Sequence, residues 1–343
     1  MNINAFTRAK RLSQFLVLLV SLLGAVTASG EQAEPPPGPE SCIAELIKGA
    51  PDTMTMGEAR AACAQLTAPD PVPPVEKLVE ERLNIDATNL LKPFTLMSHK
   101  NNFILLGAHN FQQPSGGLPG EALDTDELDT DPTEFQFQLS IKTPLAVNLF
   151  NWPIDLFAAY TVRSFWQLYN AEASSPFRET NHEPEIWLQF TPNFELFGFT
   201  NTINALGFSH QSNGQASTLS RSWNRIWATI TFERGDFALM LTPWLRIQES
   251  SNDDNPDITD YLGHGSLQLI YRSGDHTYSF MSRNNIESGF SRGAVQLSWS
   301  FPILGYHYLK GYVQYFSGYG ESLIDYDSYV NRVGIGILIT NLL

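Results

Sequence analysis

From about residue 93 to the C-terminus, apolar and polar side chains alternate in short segments separated by turn residues. Alternation with a period of two is the mark of a strand whose two faces meet different surroundings. The pattern predicts twelve strands, at 94–108, 134–144, 154–168, 183–191, 195–210, 222–233, 237–248, 259–272, 276–283, 292–301, 306–317 and 329–340. An even number of antiparallel strands suits a single-chain barrel in a bacterial outer membrane. Between 226 and 232 the even set is Ile226, Ala228, Ile230 and Phe232, against Trp227, Thr229 and Thr231. The even face is expected to meet lipid. In the last strand the odd set Val333, Ile335, Ile337 and Ile339 forms the apolar face.

Connections between these segments alternate in length. Tight turns are expected at Thr191-Pro192-Asn193, Arg234-Gly235-Asp236, Arg272 to Asp275 and Pro302 to Gly305; longer loops fall at 109–133, 169–182, 211–221, 249–258, 284–291 and 318–328. In outer-membrane barrels short turns face the periplasm and long loops face outside. Trp166, Trp223, Trp244 and Tyr312, near strand ends, are expected to form an interfacial girdle.

The N-terminus has a different texture. Arg8, Lys10 and Arg11 precede an apolar run from Phe15 to about Val26, followed by small residues through Ala28. That order reads as a signal peptide over 1–28, too short to span as a helix. Residues 29–92 read as a Pro-rich linker (EPPPGPE, 34–40) and a small helical periplasmic extension, with 93–343 as the barrel. Cys42 and Cys63, the two cysteines, are expected to pair in an exported chain. The formal charge of −15 argues against a nucleic-acid partner. It suits acidic loops that take divalent cations.

The segment GFSHQSNGQASTLSRSWNRIW (207–227) carries candidate chemistry. A hydroxyl nucleophile needs a base and a third group to orient it. His210, Ser212 and Asn224 share parity with Phe208 and Ile226, so regular strands would project all three outward at the outer rim of the bilayer. A His-x-Ser pair is weak evidence by itself, since Ser-Asn-Gly is common turn chemistry.

The run SHQSNGQASTLSRSWNR, with SSPFRETNHEP (174–184), DDNPDIT (253–259) and SGYGESLIDY (317–326) in the same order, closely resembles outer-membrane phospholipase A over about 93–343. The resemblance implies a twelve-stranded barrel that hydrolyses acyl esters of phospholipids and lysophospholipids, activated by calcium and by homodimerisation. It implies Ser212 as nucleophile, His210 as general base, Asn224 as orienting residue and the Gly214 amide as oxyanion donor. It further implies calcium held by the Gln215 carbonyl, the Ser220 hydroxyl and, across the dimer, the Ser174 carbonyl. The chain departs from the family in having Ser217 where an acidic residue is common, Val162 for an interface glutamine, and Leu343 for a terminal aromatic.

Asp253, Asp254 and Asp257 offer a possible second metal site, although an exposed acidic loop explains them as well. The run DTDELDTD (124–131) lacks the glycine of an EF-hand loop and reads as solvated. His264 and His307 lack ligand-spaced partners and read as structural. The rival reading is a non-catalytic barrel, either channel or structural protein, which needs none of the three site residues together. A soluble lipase is weaker still, because Gln211 and Asn213 flank Ser212 and leave no Gly-x-Ser-x-Gly elbow.

Overall fold

The alternating segments close into a barrel in the computed structural model, which describes residues 77–90, 92, 95–112, 130–172, 174–249 and 253–343, with Thr55 and Gly57. The signal peptide, the Pro-rich linker, the Cys42–Cys63 pair and most of the 124–131 run lie outside the described residues. Twelve antiparallel strands form the wall. They are β1 (Asn102–Asn110), β2 (Thr133–Ala146), β3 (Asp155–Trp166), β4 (Phe177–Phe190), β5 (Phe199–Ser212) and β6 (Ser222–Arg234). β7 (Phe237–Ile247), β8 (Gly265–Ser273), β9 (His276–Arg283), β10 (Ala294–Ile303), β11 (Tyr306–Gly318) and β12 (Val330–Thr340) complete it. Each strand pairs with its sequence neighbours, and β12 returns to β1 from Arg332↔Asn110 to Thr340↔Asn102. Closure leaves no edge strand with unpaired backbone groups in lipid.

Three boundaries differ from the expectation. β1 starts at Asn102, because Met97–Ser98 forms its own two-residue strand on β2. β4 runs from Phe177 rather than 183, with Pro184 in mid-strand facing outward. β8 starts at Gly265, because Ile258–Leu262 folds as a short helix, α2, whose Ile258 and Leu262 turn inward to an apolar cluster. The turn after β4 is also longer than three residues, since Phe194–Leu196 folds back on the start of β5.

Both predicted lipid faces are outward. Ile226 and Ile230 of β6 and Val333, Ile335 and Ile339 of β12 are exposed, while Thr229, Thr231, Glu233, Arg332 and Leu338 are buried inside. The girdle expectation fails for three residues. Trp223, Trp244 and Tyr312 are buried, the first with no exposed surface, and lie among inward positions of their strands. The strand period decides the matter, since Trp223 has the opposite parity to outward Ile226. Exposed aromatics instead stack near the short turns, where Tyr278 lies 6.4 Å from Tyr271 and 6.2 Å from Trp299.

The barrel interior is filled with paired charges. Arg178 meets Glu134 and Asp325, each at 2.5 Å. Arg332 bridges Glu134 and Glu321, and Arg163 lies 3.2 Å from Glu321. Three cations thus face three carboxylates in a network that is buried except at the half-buried Arg163, the arrangement that makes buried charge tolerable. At the short-turn mouth sits a helix, α1 (Leu78–Leu90). Its first backbone amides bond to the wall, Val79 N–H to the Glu233 carboxylate at 2.8 Å and Leu78 N–H to the Gly235 carbonyl at 3.5 Å. Leu78 and Val79 pack on Ala238 and Ile270, with Leu342 and Leu343 against the same cluster. The helix packs as part of the barrel unit, whereas the sequence pattern placed it in a separate extension.

Arg178→Ala leaves Glu134 and Asp325 without their shared cation. Equilibrium urea unfolding in micelles is expected to show a loss of about 3–5 kcal/mol, the usual consequence of breaking a buried ion pair on one side.

Candidate active site

β5 and β6 are in register with His210 opposite Asn224 and Ser212 opposite Ser222. Directly opposed residues in an antiparallel pair bring their side chains together on one face. Here that face is the outer wall, shared with exposed Leu206, Phe208 and Ile226. His210 Nδ1 lies 2.9 Å from Asn224 Oδ1. An amide oxygen only accepts, so Nδ1 carries the proton and Nε2 is left as the basic nitrogen. Ser212 stands two residues along on the same half-buried face. Among the described residues no hydrogen bond joins its hydroxyl to His210.

Behind the wall, inward side chains hold the two strands in place. Trp223 donates its indole N–H to Gln211 at 2.8 Å, Arg225 lies 4.1 Å over the Trp223 ring, and Arg225 pairs with Glu183 of β4 at 2.5 Å. Trp223 packs further on Trp244, Ile258, Leu262, Leu323 and Tyr326 beneath the long loops. Burial, reinforced by Asp257, pushes the Tyr326 hydroxyl above the usual tyrosine range. Tyr326 therefore stays a donor to Asp257, at 2.6 Å.

The loop between β5 and β6 is shaped by buried Asn213. Its side-chain amide donates to the Leu219 carbonyl at 2.8 Å, and its oxygen accepts from Arg221 N–H at 3.0 Å and Gln215 N–H at 3.3 Å. Gly214 has φ +65°, a left-handed conformation open to glycine at little cost, and its N–H donates to no described residue. The carbonyls of Gln215 and Ser174 likewise accept no hydrogen bond from a described residue. Ser174 and Ser175 both have positive φ, at 60° and 51°, in the exposed turn between β3 and β4. The Ser220 hydroxyl donates to Asp254. Carbonyl, hydroxyl and carboxylate oxygens of this kind are the hard donors that calcium takes.

The acidic run is divided among separate partners. Asp253 forms a bidentate pair with Arg246 at 2.6 and 2.7 Å, Asp257 accepts from Tyr326, and Asp254 turns to Ser220. Among the described residues no group of three or more His, Cys, Asp or Glu side chains is arranged to hold a metal. His264 is paired with Glu287 at 2.5 Å.

Two neighbours of the site escaped sequence reasoning. Asn224 Nδ2 donates to Glu249 Oε1 at 3.0 Å. His182 of β4 lies opposite Ser212, with its Nδ1 2.6 Å from the Tyr160 hydroxyl. Parity and register would have exposed both: Glu249 is two residues beyond Ile247, the exposed β7 partner of Asn224, and His182 is even-numbered like outward Ile186. Asn213→Ala is expected to destabilise the chain by about 1–3 kcal/mol through its stranded loop partners. It should also depress any hydrolytic activity of the site at least tenfold; urea melts and ester hydrolysis by the same preparation measure the two effects.

Comparison with known proteins gives this geometry its context. The family model described as Phospholipase A1 matches residues 79–339. Phospholipase A1 of Escherichia coli K12 is 37% identical over 252 residues, covering 73% of this chain and 83% of that protein. A putative phospholipase A1 of Neisseria meningitidis is 44% identical over 215 residues, covering 61% of this chain and 55% of that protein. Among solved structures, the Salmonella typhi outer membrane phospholipase dimer with bound calcium aligns with TM-score 0.66 and 35% identity over 75% of this chain and 97% of that one. The E. coli outer membrane phospholipase A aligns with TM-score 0.65 and 36% identity over 73% and 100%. The family match begins at residue 79, so α1 belongs to the shared region as well as to the barrel's packing. With the closed twelve-stranded wall, its outward His210–Asn224 pair and these matches together, the chain belongs to the phospholipase A1 family of integral bacterial outer-membrane barrels.

Proposed function

We propose that the chain is a calcium-dependent outer-membrane phospholipase, cleaving acyl esters of phospholipids (A1 and A2 positions) and lysophospholipids with Ser212, His210 and Asn224. The observation that carries the reading is the 2.9 Å contact of His210 Nδ1 with Asn224 Oδ1 on a lipid-facing wall beside Ser212. A substrate acyl chain can lie along the exposed Leu206, Phe208 and Ile226 while its ester reaches the rim. The bilayer then delivers substrate without an enclosed pocket.

In the acylation step the Ser212 oxygen bonds to the acyl carbon as His210 Nε2 takes the hydroxyl proton. Asn224 holds the imidazole in the tautomer that makes this transfer possible. The carbonyl electron pair moves onto oxygen, and the Gly214 N–H donates to the resulting oxyanion. Collapse expels the glycerol oxygen, which recovers the proton from His210. Water, deprotonated by the same nitrogen, then releases the fatty acid.

Calcium would be held by the Gln215 carbonyl, the Ser220 hydroxyl and the carbonyl of Ser174 from the partner subunit in a homodimer. When bound it supplies positive potential beside the developing oxyanion. Support comes from the unclaimed carbonyl oxygens of Gln215 and Ser174, from the Ser220 hydroxyl beside Asp254, and from the Salmonella typhi relative, which is a dimer with bound calcium. A site completed across two chains ties activity to association. Damage that lets protomers meet and brings phospholipid to the outer leaflet would switch it on.

In detergent micelles, calcium is expected to start fatty-acid release, chelator to stop it, and Ser212→Ala to lower kcat by at least a thousandfold with the fold intact. Calcium-independent release, or an active Ser212→Ala variant, sinks the reading; a barrel with no hydrolysis under any of these conditions returns the question to the non-catalytic alternative. Crosslinking should find activity in the dimer fraction, and a monomer of equal specific activity contradicts the shared calcium site.

A further inference from the structure

An asparagine can orient a histidine in only one of its two amide positions. With Oδ1 toward His210, Nδ1 is protonated and Nε2 is free to act as base. With the amide reversed, the NH2 group faces Nδ1, the ring takes the other tautomer, and its proton sits on the nitrogen needed by Ser212. The shape of the amide barely distinguishes the two positions, so a partner on its far side must choose. That partner is Glu249: Asn224 Nδ2 donates to Glu249 Oε1 at 3.0 Å while Asn224 Oδ1 meets His210 at 2.9 Å. A carboxylate only accepts, so it claims the NH2 group and leaves the oxygen for the imidazole.

We infer that Glu249 is a positioning residue of the hydrolytic site, fixing the Asn224 amide and backing the His210 imidazolium with negative charge through it. The inference rests on the hydrolytic reading of Ser212, His210 and Asn224. It makes the relay four residues long, ending in a carboxylate at the outer rim, two residues beyond the end of β7. A neutral amide stabilises the imidazolium less than a carboxylate in direct contact would. Glu249 restores part of that charge from one residue further away.

Glu249 is the carboxylate that meets the His210–Asn224 pair, on its Asn224 side. From β4, His182 faces the outer wall on the Ser212 side, with the Tyr160 hydroxyl of β3 on its Nδ1. From β6 comes Asn224, and beyond the end of β7 comes Glu249. Arg225, Glu183 and Arg246 belong to the inward set of the same strands, with Arg225 paired to Glu183 and Arg246 to Asp253.

The test compares wild type, Glu249→Leu, Glu249→Gln, Asn224→Ala and the Asn224→Ala/Glu249→Leu double variant. Each is assayed as full-length protein for kcat and KM on lysophospholipid in micelles with saturating calcium. Glu249→Leu is expected to lower kcat about tenfold at unchanged KM, within the range that coupled neighbours show. Glu249→Gln, which keeps an acceptor and loses the charge, should retain about a third of wild-type kcat. Without Asn224 the carboxylate has nothing to act through, so Glu249→Leu should change kcat less than twofold in that background. Wild-type kcat in Glu249→Leu, a loss that appears in KM rather than kcat, or the same tenfold loss without Asn224 overturns the inference. Wild-type kcat in Asn224→Ala would instead overturn the hydrolytic reading of the triad.

Discussion

Closing a β-sheet inside a bilayer leaves each side chain one of two fates, lipid or barrel interior, and consecutive residues must alternate between them. Everything else in this molecule follows from that constraint. It places His210 beside Asn224 by register, sends both outward with Ser212, and sends Gln211, Trp223 and Arg225 inward to hold the same strands from behind. The reactive groups and their support are therefore interleaved along the two strands. A one-residue slip would exchange them.

An interior made of the other parity must be filled. Arg163, Arg178 and Arg332 against Glu134, Glu321 and Asp325 fill it with matched charge, and α1 packs into the short-turn mouth. Neither feature suits a water-filled conduit. At the opposite end the apolar cluster of Trp223, Trp244, Ile258 and Tyr326 supports the long loops, so the oxygens of Gln215 and Ser220 are presented by a braced surface. Rigid placement matters because the acyl ester arrives from a fluid phase that does nothing to orient it.

Much of this was legible in the chain. Twelve strands, their lipid faces and the shared outward side of His210, Ser212 and Asn224 follow from a period of two. What escaped is instructive. Their places near strand ends suggest Trp223, Trp244 and Tyr312 as girdle residues, although parity makes Trp223 an inward residue. The strand expected at 259–272 takes in most of α2, and the inward helical pair Ile258 and Leu262, four apart, is split between that strand and the preceding loop, so its helical spacing is lost. Glu249 and His182 were missed because each meets the site across a strand pairing, which sequence proximity does not reveal. The acidic loop read as one cluster, yet Arg246, Ser220 and Tyr326 each take a different aspartate.

The central claim is that a serine on the lipid-facing wall becomes covalently acylated. Its most direct test is rapid-quench mass spectrometry of the calcium-loaded protein turning over a slowly deacylating ester. The account predicts an acyl group on the peptide containing Ser212 within the first turnover, absent when His210 is replaced by alanine. Product release with no acylated protein, or an acyl group on a different residue, would contradict it.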